Sequence, residues 1–329
     1  MQNSLFKELN LQQGSVEWLA ARNCHITATE IAHVKTGQTS LYTLVMNKRG
    51  ILQVKDISNV PAVKEGSRKE DGIRRLVTCN FPSLLAEGEV ELPNPCVESI
   101  EEPFFMASLD GYSKRLGLIV EIKNVYSKSE KNWEDLNKLG LNAPIPKQYG
   151  YFYQVQWQLL LTGARGALLV FHHSTDPEKV DPKGLRIFKI MPNPEVQAEL
   201  KALALKIKDI IVNNKDVQPE LKDEVVIQPS GDVQKLVKMY ADTEARYKLL
   251  SEEIDQLKSI RGQITDQLAE MLLTKQQSKV SSDSFMLTRV ERQGSIDFNK
   301  MVEDGVISNE VLEKYRKAPV QSNRLTLKV

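Results

Sequence analysis

Residues 106–127 read MASLDGYSKRLGLIVEIKNVYS, and this stretch decides the reading of the fold. Alternate side chains of a strand share a face, so Glu121 and Lys123 point one way while Val120 and Ile122 point the other. The run Leu118, Ile119, Val120, Ile122 is apolar on both faces, as in a strand covered from both sides. A carboxylate and an ammonium at the end of such a strand are costly unless paired or metal-bound. Asp110 lies eleven residues before Glu121, beside a turn glycine and at the close of another apolar strand. A hairpin through Asp110-Gly111 brings Asp110 next to Glu121. Two adjacent carboxylates favour a divalent cation that screens their repulsion, and all-oxygen donors select a hard ion such as Mg²⁺ or Mn²⁺.

Working outward, the period of two holds from 87 to 126, with GEVEL, PFFMASL and LGLIVEIKN as three strands broken by Pro93, Pro95 and Asp110-Gly111. Helical patterns flank it. Ser15 caps one helix, and Thr27 with Glu30 has capping-box spacing for a second. Residues 61–79 form a third, with Val63, Ile73, Leu76 and Val77 as its apolar contributors, and 147–163 a fourth. Residues 166–173 and 185–191 read as strands, and Asn193-Pro194-Glu195 starts another helix. The result is an α/β (α+β) chain with a central mixed sheet flanked by helices.

Beyond residue 215 the character changes. A Pro- and Lys-containing linker (215–231) leads to a helical stretch over about 232–274. Tyr240, Tyr247, Ile254, Arg261 and Leu268 fall at heptad position a, with Thr243, Leu250, Leu257, Ile264 and Met271 at d, the seam of a coiled-coil or hairpin arm. Arg261-Gly262 interrupts that seam. The tail to 329 has a strand-like start, short helices capped near Asp297 and Ser308, and a final strand, RLTLKV. The organisation is a core over 1–214, a linker over 215–231, and an arm with a small α/β tail over 232–329.

Composition bounds the function classes. The chain has 329 residues, 41% hydrophobic and 26% charged, with a net charge of +1, so it is neither disordered nor a basic coating protein. Near neutrality leaves room for a locally basic groove. No apolar run is long enough to span a membrane, and MQNSLFKELN lacks the order of a signal peptide. Three scattered cysteines give neither a disulfide framework nor a thiolate metal site, which fits a reducing cytoplasm. They read as small buried apolar residues, Trp18 and Trp157 as core, and His172-His173 as a strand end.

Asp110 followed by Glu121-Ile122-Lys123 is similar to the D…(D/E)xK signature of the PD-(D/E)XK nuclease superfamily, with Leu109 where that signature's name has proline. Four further segments, in order, resemble the YqaJ-type viral recombinases, the phage lambda exonuclease-like family within it. They are GSVEWLAARNCHITAT (14–29), GSRKE (66–70), Ser108, and Gln154-Val155-Gln156 in YFYQVQWQLLLTG. The resemblance covers about residues 14–175. It implies a restriction-endonuclease-like core with Asp110, Glu121 and the backbone carbonyl of Ile122 as metal ligands. Lys123 would orient or deprotonate the attacking water, Glu70 would assist, and Gln154 would stand beside the metal site. Arg22, Thr29 and Ser108 would bind a terminal 5′-phosphate, with threonine where the family has serine. At most one or two of Gln154, Gln156 and Gln158 can reach the site from one helix face.

The implied activity is a Mg²⁺-dependent 5′→3′ exonuclease on linear duplex DNA, leaving 3′ overhangs for strand-annealing recombination in a phage-infected or lysogenic bacterial cytoplasm. Implied partners are 5′-phosphorylated DNA ends, a single-strand annealing protein and further copies of the chain in a ring-shaped trimer, with no membrane. The alternatives are a PD-(D/E)XK endonuclease, a single-strand exonuclease, and a non-enzymatic DNA-binding assembly protein.

Overall fold

Ser15 and Thr27 open the first two helices as their positions forecast. The computed structural model describes residues 4–54, 57–139, 150–273, 278–290 and 294–316, and the chain divides into two units, 1–226 and 227–329. In the first, strand β1 (Phe6–Leu9) precedes α1 (Val16–Cys24), where the Ser15 side chain accepts from the Trp18 N–H. A two-residue strand β2 (Ile26–Thr27) runs into α2 (Ala28–Thr36), whose capping box joins Thr27 and Glu30. Helix α3 (Leu41–Lys48) and the twenty-residue α4 (Pro61–Asn80) follow. Pro61 starts α4 because a first-turn residue needs no N–H donor. Its inward face, Glu65, Lys69, Ile73 and Val77, keeps a strict four-residue spacing.

Strands β3 (Cys96–Ser99), β4 (Phe105–Ser108), β5 (Gly111–Ser113) and β6 (Leu118–Val125) come next, then α5 (Glu130–Lys138) and α6 (Tyr151–Thr162). Gly150 and Gly163 bracket α6, both left-handed at φ +75° and +65°, which glycine adopts without steric cost. Strands β7 (Gly166–His173) and β8 (Leu185–Ile190) lead to α7 (Pro194–Val212), where Asn193 caps and Pro194 starts the helix.

Two four-stranded sheets result, ordered β1-β3-β4-β2 and β5-β6-β7-β8. Both are mixed. β4 pairs parallel to β2 and antiparallel to β3, while β6 pairs parallel to β7 over eight residues and antiparallel to β5. One face of the second sheet packs Ile119, Leu169 and Phe171 into a core with Trp157 of α6 and Leu200 of α7. The other packs Val120, Ile122 and Val170 against Ile73 and Val77 of α4. Each such buried aliphatic contributes about 1.5–3 kcal/mol. Thus β6 is covered from both sides, and its two charged residues, Glu121 and Lys123, can persist only where a cluster of partners meets them.

Three sequence expectations are corrected. GEVEL is not a strand: Val90 is 89% exposed, and the pairing strand starts after Pro95 at Cys96. Asp110-Gly111 is not the hairpin turn. The chain passes through Leu109 and Asp110 from β4 in one sheet to β5 in the other, and the turn is Lys114–Gly117, with Gly117 at φ +63°. Gly111 is needed for close approach instead, since a Cβ there would lie 2.4 Å from Leu92 Cδ2 and 3.2 Å from Val120 Cβ. Of the cysteines only Cys96 is buried; Cys24 and Cys79 are exposed.

The segment after α7 is fastened to α3, since Asp223 Oδ1 accepts from Ser40 Oγ (2.6 Å) and Thr43 Oγ1 (3.0 Å). In the second unit, α8 (Gly231–Leu272) runs unbroken for 42 residues through Arg261-Gly262 and has no buried residue. A β9–β10 hairpin (Lys279–Ser281, Met286–Thr288) and two short helices, α9 (Phe298–Glu303) and α10 (Asn309–Lys314), follow. Asp297 and Ser308 cap those helices as expected. The expected strand RLTLKV lies outside the described residues. Among the described residues no helix is long and apolar enough to cross a membrane.

Candidate active site

Asp110 sits where the chain changes sheets. Its Oδ2 accepts from the Ile122 N–H at 2.8 Å. This tie exists because β5 pairs with β6 only as far as Val120, which leaves the next main-chain groups on that side of β6 free. The N–H and C=O of one strand residue face the same neighbour, so the Ile122 carbonyl faces the Asp110 side too. Glu121 and Lys123 share the opposite face from Ile122, and Lys123 Nζ donates to Glu121 Oε1 at 2.6 Å.

Helix α6 clamps Glu121 from above. Gln154 Nε2 donates to Glu121 Oε1 and Gln158 Nε2 to Oε2, both at 2.6 Å. Gln158 Nε2 also lies 3.3 Å from the Ser108 carbonyl, linking β4 to β6. Its own Oε1 is buried with no partner among the described residues. Gln156 faces away, donating to the Met191 carbonyl and accepting from the Asn193 N–H. Two glutamines therefore reach the site, and the pair is 154 and 158, one helical turn apart.

Helix α4 supplies the third carboxylate through an arginine. Arg74 donates to Glu70 Oε1 (2.7 Å), to Asp71 Oδ1 (2.7 Å) and, through Nε, to the Asp110 carbonyl (2.5 Å). Charge is crowded here. Burial pushes the Asp110 carboxyl well above the usual range, Glu121 and then Glu70 add to it, and Lys123 and the Ile122 N–H oppose it. Glu70 is also raised, by burial first and by Glu121 and Asp71, against the pull of Arg74. For Lys123 burial works against the ammonium, but Glu121 and Asp110 outweigh it and hold its pKa above the ordinary value. One ammonium thus stands among three carboxylates at the end of β6.

The residues expected to bind phosphate are only partly brought together. Trp18 Nε1 donates to Ser108 Oγ at 2.8 Å, and the Arg22 guanidinium lies 4.5 Å from the Trp18 ring centroid. Trp18 is therefore half-buried beside the site rather than core, whereas Trp157 is core, its Nε1 donating to the Met106 carbonyl. Cys96 Sγ lies 3.5 Å from the same hydroxyl. Burial draws the Arg22 guanidinium below its ordinary pKa, with Glu30 opposing. Thr29 stands in the first turn of α2, half-buried; among the described residues Trp18 and Cys96, not Thr29, meet the Ser108 hydroxyl.

Sequence reasoning missed Arg74 and the placement of Trp18, and it left Gln158 as one of three glutamines of which at most one or two reach the site. Arg74 follows Glu70 by four residues and Gln158 follows Gln154 by four, so the helical repeat was a usable signal for both. His172 and His173 behave as a strand end: His172 Nδ1 meets Asn124 Oδ1 at 3.0 Å, and the His173 ring stacks on Trp133. Burial, with Lys69 nearby, lowers the His172 pKa to about 4, so it stays neutral near pH 7.

Residues 17–165 match the model of the YqaJ-like viral recombinase domain. No curated protein matches the chain. Among solved structures, LHK-Exo in complex with dAMP is 21% identical, over 61% of this chain and 94% of that one, with a TM-score of 0.47. The alkaline exonuclease LHK-Exo from Laribacter hongkongensis is 20% identical, over 61% and 96%, with a TM-score of 0.44. A phage related exonuclease from Haemophilus somnus 129PT is 14% identical, over 58% and 96%, with a TM-score of 0.36. The span 17–165, which resembles the YqaJ-like viral recombinase domain, takes in Arg22, Glu70, Asp110, Glu121, Lys123 and both clamping glutamines.

Proposed function

We propose that the chain is a metal-dependent 5′→3′ exonuclease that digests linear duplex DNA from its ends and leaves 3′ overhangs for recombination by strand annealing. The observation that carries this reading is the meeting of Asp110, Glu121 and Lys123 at the end of β6, inside the span that resembles the YqaJ-like domain. The donor set fits a hard divalent cation. Burial and the neighbouring Glu121 raise the proton affinity of the half-buried Asp110 carboxylate, and the Ile122 carbonyl faces the same side, so a cation has charge to offset and oxygen donors to meet. Among the described residues no three acidic, histidine or cysteine side chains converge into a closed cage. A site of two carboxylates suits Mg²⁺ or Mn²⁺, which keep open positions for water and phosphate oxygens.

Asp110, Glu121 and the Ile122 carbonyl would hold that ion, which when bound supplies Lewis-acid stabilisation of the charge gathering on the phosphate. The protein's own residues do the rest. Lys123, kept protonated by two carboxylates, acts as a donor that orients water and offsets phosphate charge rather than as a base. Gln154 and Gln158 fix the Glu121 carboxylate through both of its oxygens. Arg74 holds Glu70 beside the site and ties α4 to the backbone at Asp110. Arg22, Ser108 and Thr29 are assigned to the terminal 5′-phosphate, supported by the Arg22–Trp18–Ser108 chain of contacts. The annealing protein and a ring-shaped homotrimer belong to the same reading.

The test is digestion of end-labelled linear duplexes bearing 5′-phosphate or 5′-hydroxyl ends, with Mg²⁺, Mn²⁺, Ca²⁺ or chelator. The expected result is 5′→3′ degradation with Mg²⁺ or Mn²⁺, poor support by Ca²⁺, and faster attack on phosphorylated ends. Degradation from 3′ ends, cutting of closed circles, or activity in chelator would overturn the reading.

A further inference from the structure

Helix α8 spans about 63 Å at 1.5 Å per residue and carries one continuous seam of heptad a and d positions from Val233 to Met271. Ten of those positions are apolar or aromatic, and all ten side chains are 38–79% exposed. Seam residues of this kind need a second helix, because isolated amphipathic helices gain little without packing. The two polar seam residues identify it. Thr243 at d and Arg261 at a lie equally far from Glu252, nine residues to either side, and Glu252 lies at the middle of Gly231–Leu272.

That symmetry has a physical consequence. In a parallel, in-register pair each residue faces its own copy, so Arg261 would meet Arg261 in the seam, a like-charge contact that destabilises. In an antiparallel pair a positions face d positions. The register that overlaps the two helices end to end then sets Arg261 against Thr243 twice. Leu250 meets Ile254 next to the centre, and Val233 meets Met271 at the ends. Every apolar seam residue faces an apolar one, and the two polar positions face each other, where the guanidinium can extend past threonine to solvent. The Thr243 hydroxyl already donates to the Met239 carbonyl of its own helix at 2.7 Å, so it leaves no unpaired group in the seam.

We infer that α8 pairs with α8 of a second copy of this chain as an antiparallel two-helix coiled coil, in the register that sets Arg261 against Thr243. The contact is two-fold, whatever assembly the first unit forms, and it joins copies through their arms.

The test uses the full chain with the exposed Cys24 and Cys79 changed to serine, and a single spin label at residue 252 or at residue 235. Antiparallel pairing predicts a label-to-label distance near 20 Å at 252, from interhelical spacing and side-chain reach, and about 50 Å at 235, roughly 34 residues of rise. In parallel, the charge variant Thr243→Glu is titrated for self-association by sedimentation. The introduced carboxylate would face a guanidinium at each of the two Thr243–Arg261 contacts, so association should tighten about 3- to 10-fold. Short distances at both sites, with Thr243→Glu weakening association, would establish parallel pairing and overturn the inference. Absence of any distance near 20 Å at 252 would overturn it as well, assigning the seam to a different protein such as the annealing partner.

Discussion

Glu65 and Asp110 are both carboxylates set against β6, and they are treated in opposite ways. Glu65 accepts from Lys69 Nζ (3.0 Å), Asn124 Nδ2 (3.0 Å), and the N–H (3.1 Å) and hydroxyl (2.7 Å) of Ser127. Burial would raise its pKa, but Asn124, Ser127 and Lys69 outweigh burial and hold it below the ordinary value. Asp110 receives one main-chain donor, faces Glu121 and Glu70, and is pushed the other way. Glu65 and Lys69 neutralise one another, both residues being 2% exposed. The cluster at Asp110 is left with excess negative charge. Against the same strand, one carboxylate is saturated with donors and the other is not.

Breaking the two clusters should therefore give different phenotypes. The largest effect is expected at the unsaturated one: Glu121→Ala or Lys123→Ala should reduce duplex digestion by about 1000-fold or more in protein that still folds, read by gel assay and circular dichroism. Digestion by Lys123→Ala at the parental rate would remove Lys123 from the site. Next, Glu65→Ala leaves the Lys69 ammonium buried without its partner. It should lower stability by about 3–5 kcal/mol in denaturant titration, with activity falling only as folded protein is lost. Because the Glu65 pKa is depressed, its stabilisation is present above the ordinary carboxylate range and disappears as pH falls through its folded value. A stable, folded and inactive Glu65→Ala would place Glu65 in the chemistry after all.

A smaller effect is expected at Arg22. Arg22→Ala should slow digestion of 5′-phosphorylated ends relative to 5′-hydroxyl ends by an amount equivalent to about 1.5–3 kcal/mol, the range of a charge-assisted hydrogen bond. Equal slowing on both ends would make it a general backbone contact. The smallest effect is a displacement on the pH axis. In the protein without metal the Asp110 carboxyl should titrate above the ordinary aspartate range, read by NMR. Glu70→Gln removes one of the charges that raise it and should move that titration to lower pH; movement upward would contradict the arrangement.

Much of this was readable in the sequence where the cause is local. Caps at Ser15, Thr27 and Asn193 depend on a side chain and an N–H two or three residues away, and all three formed. The alternation Glu121, Ile122, Lys123 needs only strand geometry. What failed depended on distant partners. Asp110-Gly111 resembles a turn, yet Gly111 is fixed by Leu92 and Val120, which no local pattern reveals. Strand β3 could not be told from the GEVEL segment, because pairing with β1 and β4, not alternation, selects Cys96–Ser99. Residue type alone puts Trp18 in the core, while its indole N–H finds Ser108, ninety residues away.

The central claim, that unsatisfied charge at Asp110 serves chemistry rather than folding, is tested most directly by Asp110→Asn. Its amide oxygen can still accept from the Ile122 N–H, so the change removes charge and little else. The account predicts that this variant loses cleavage in Mg²⁺ and, at neutral pH without metal, melts at a higher temperature than the parent, because a buried ion repelled by Glu121 and Glu70 is gone. A variant that still cleaves, or one that melts lower than the parent without metal, would contradict it.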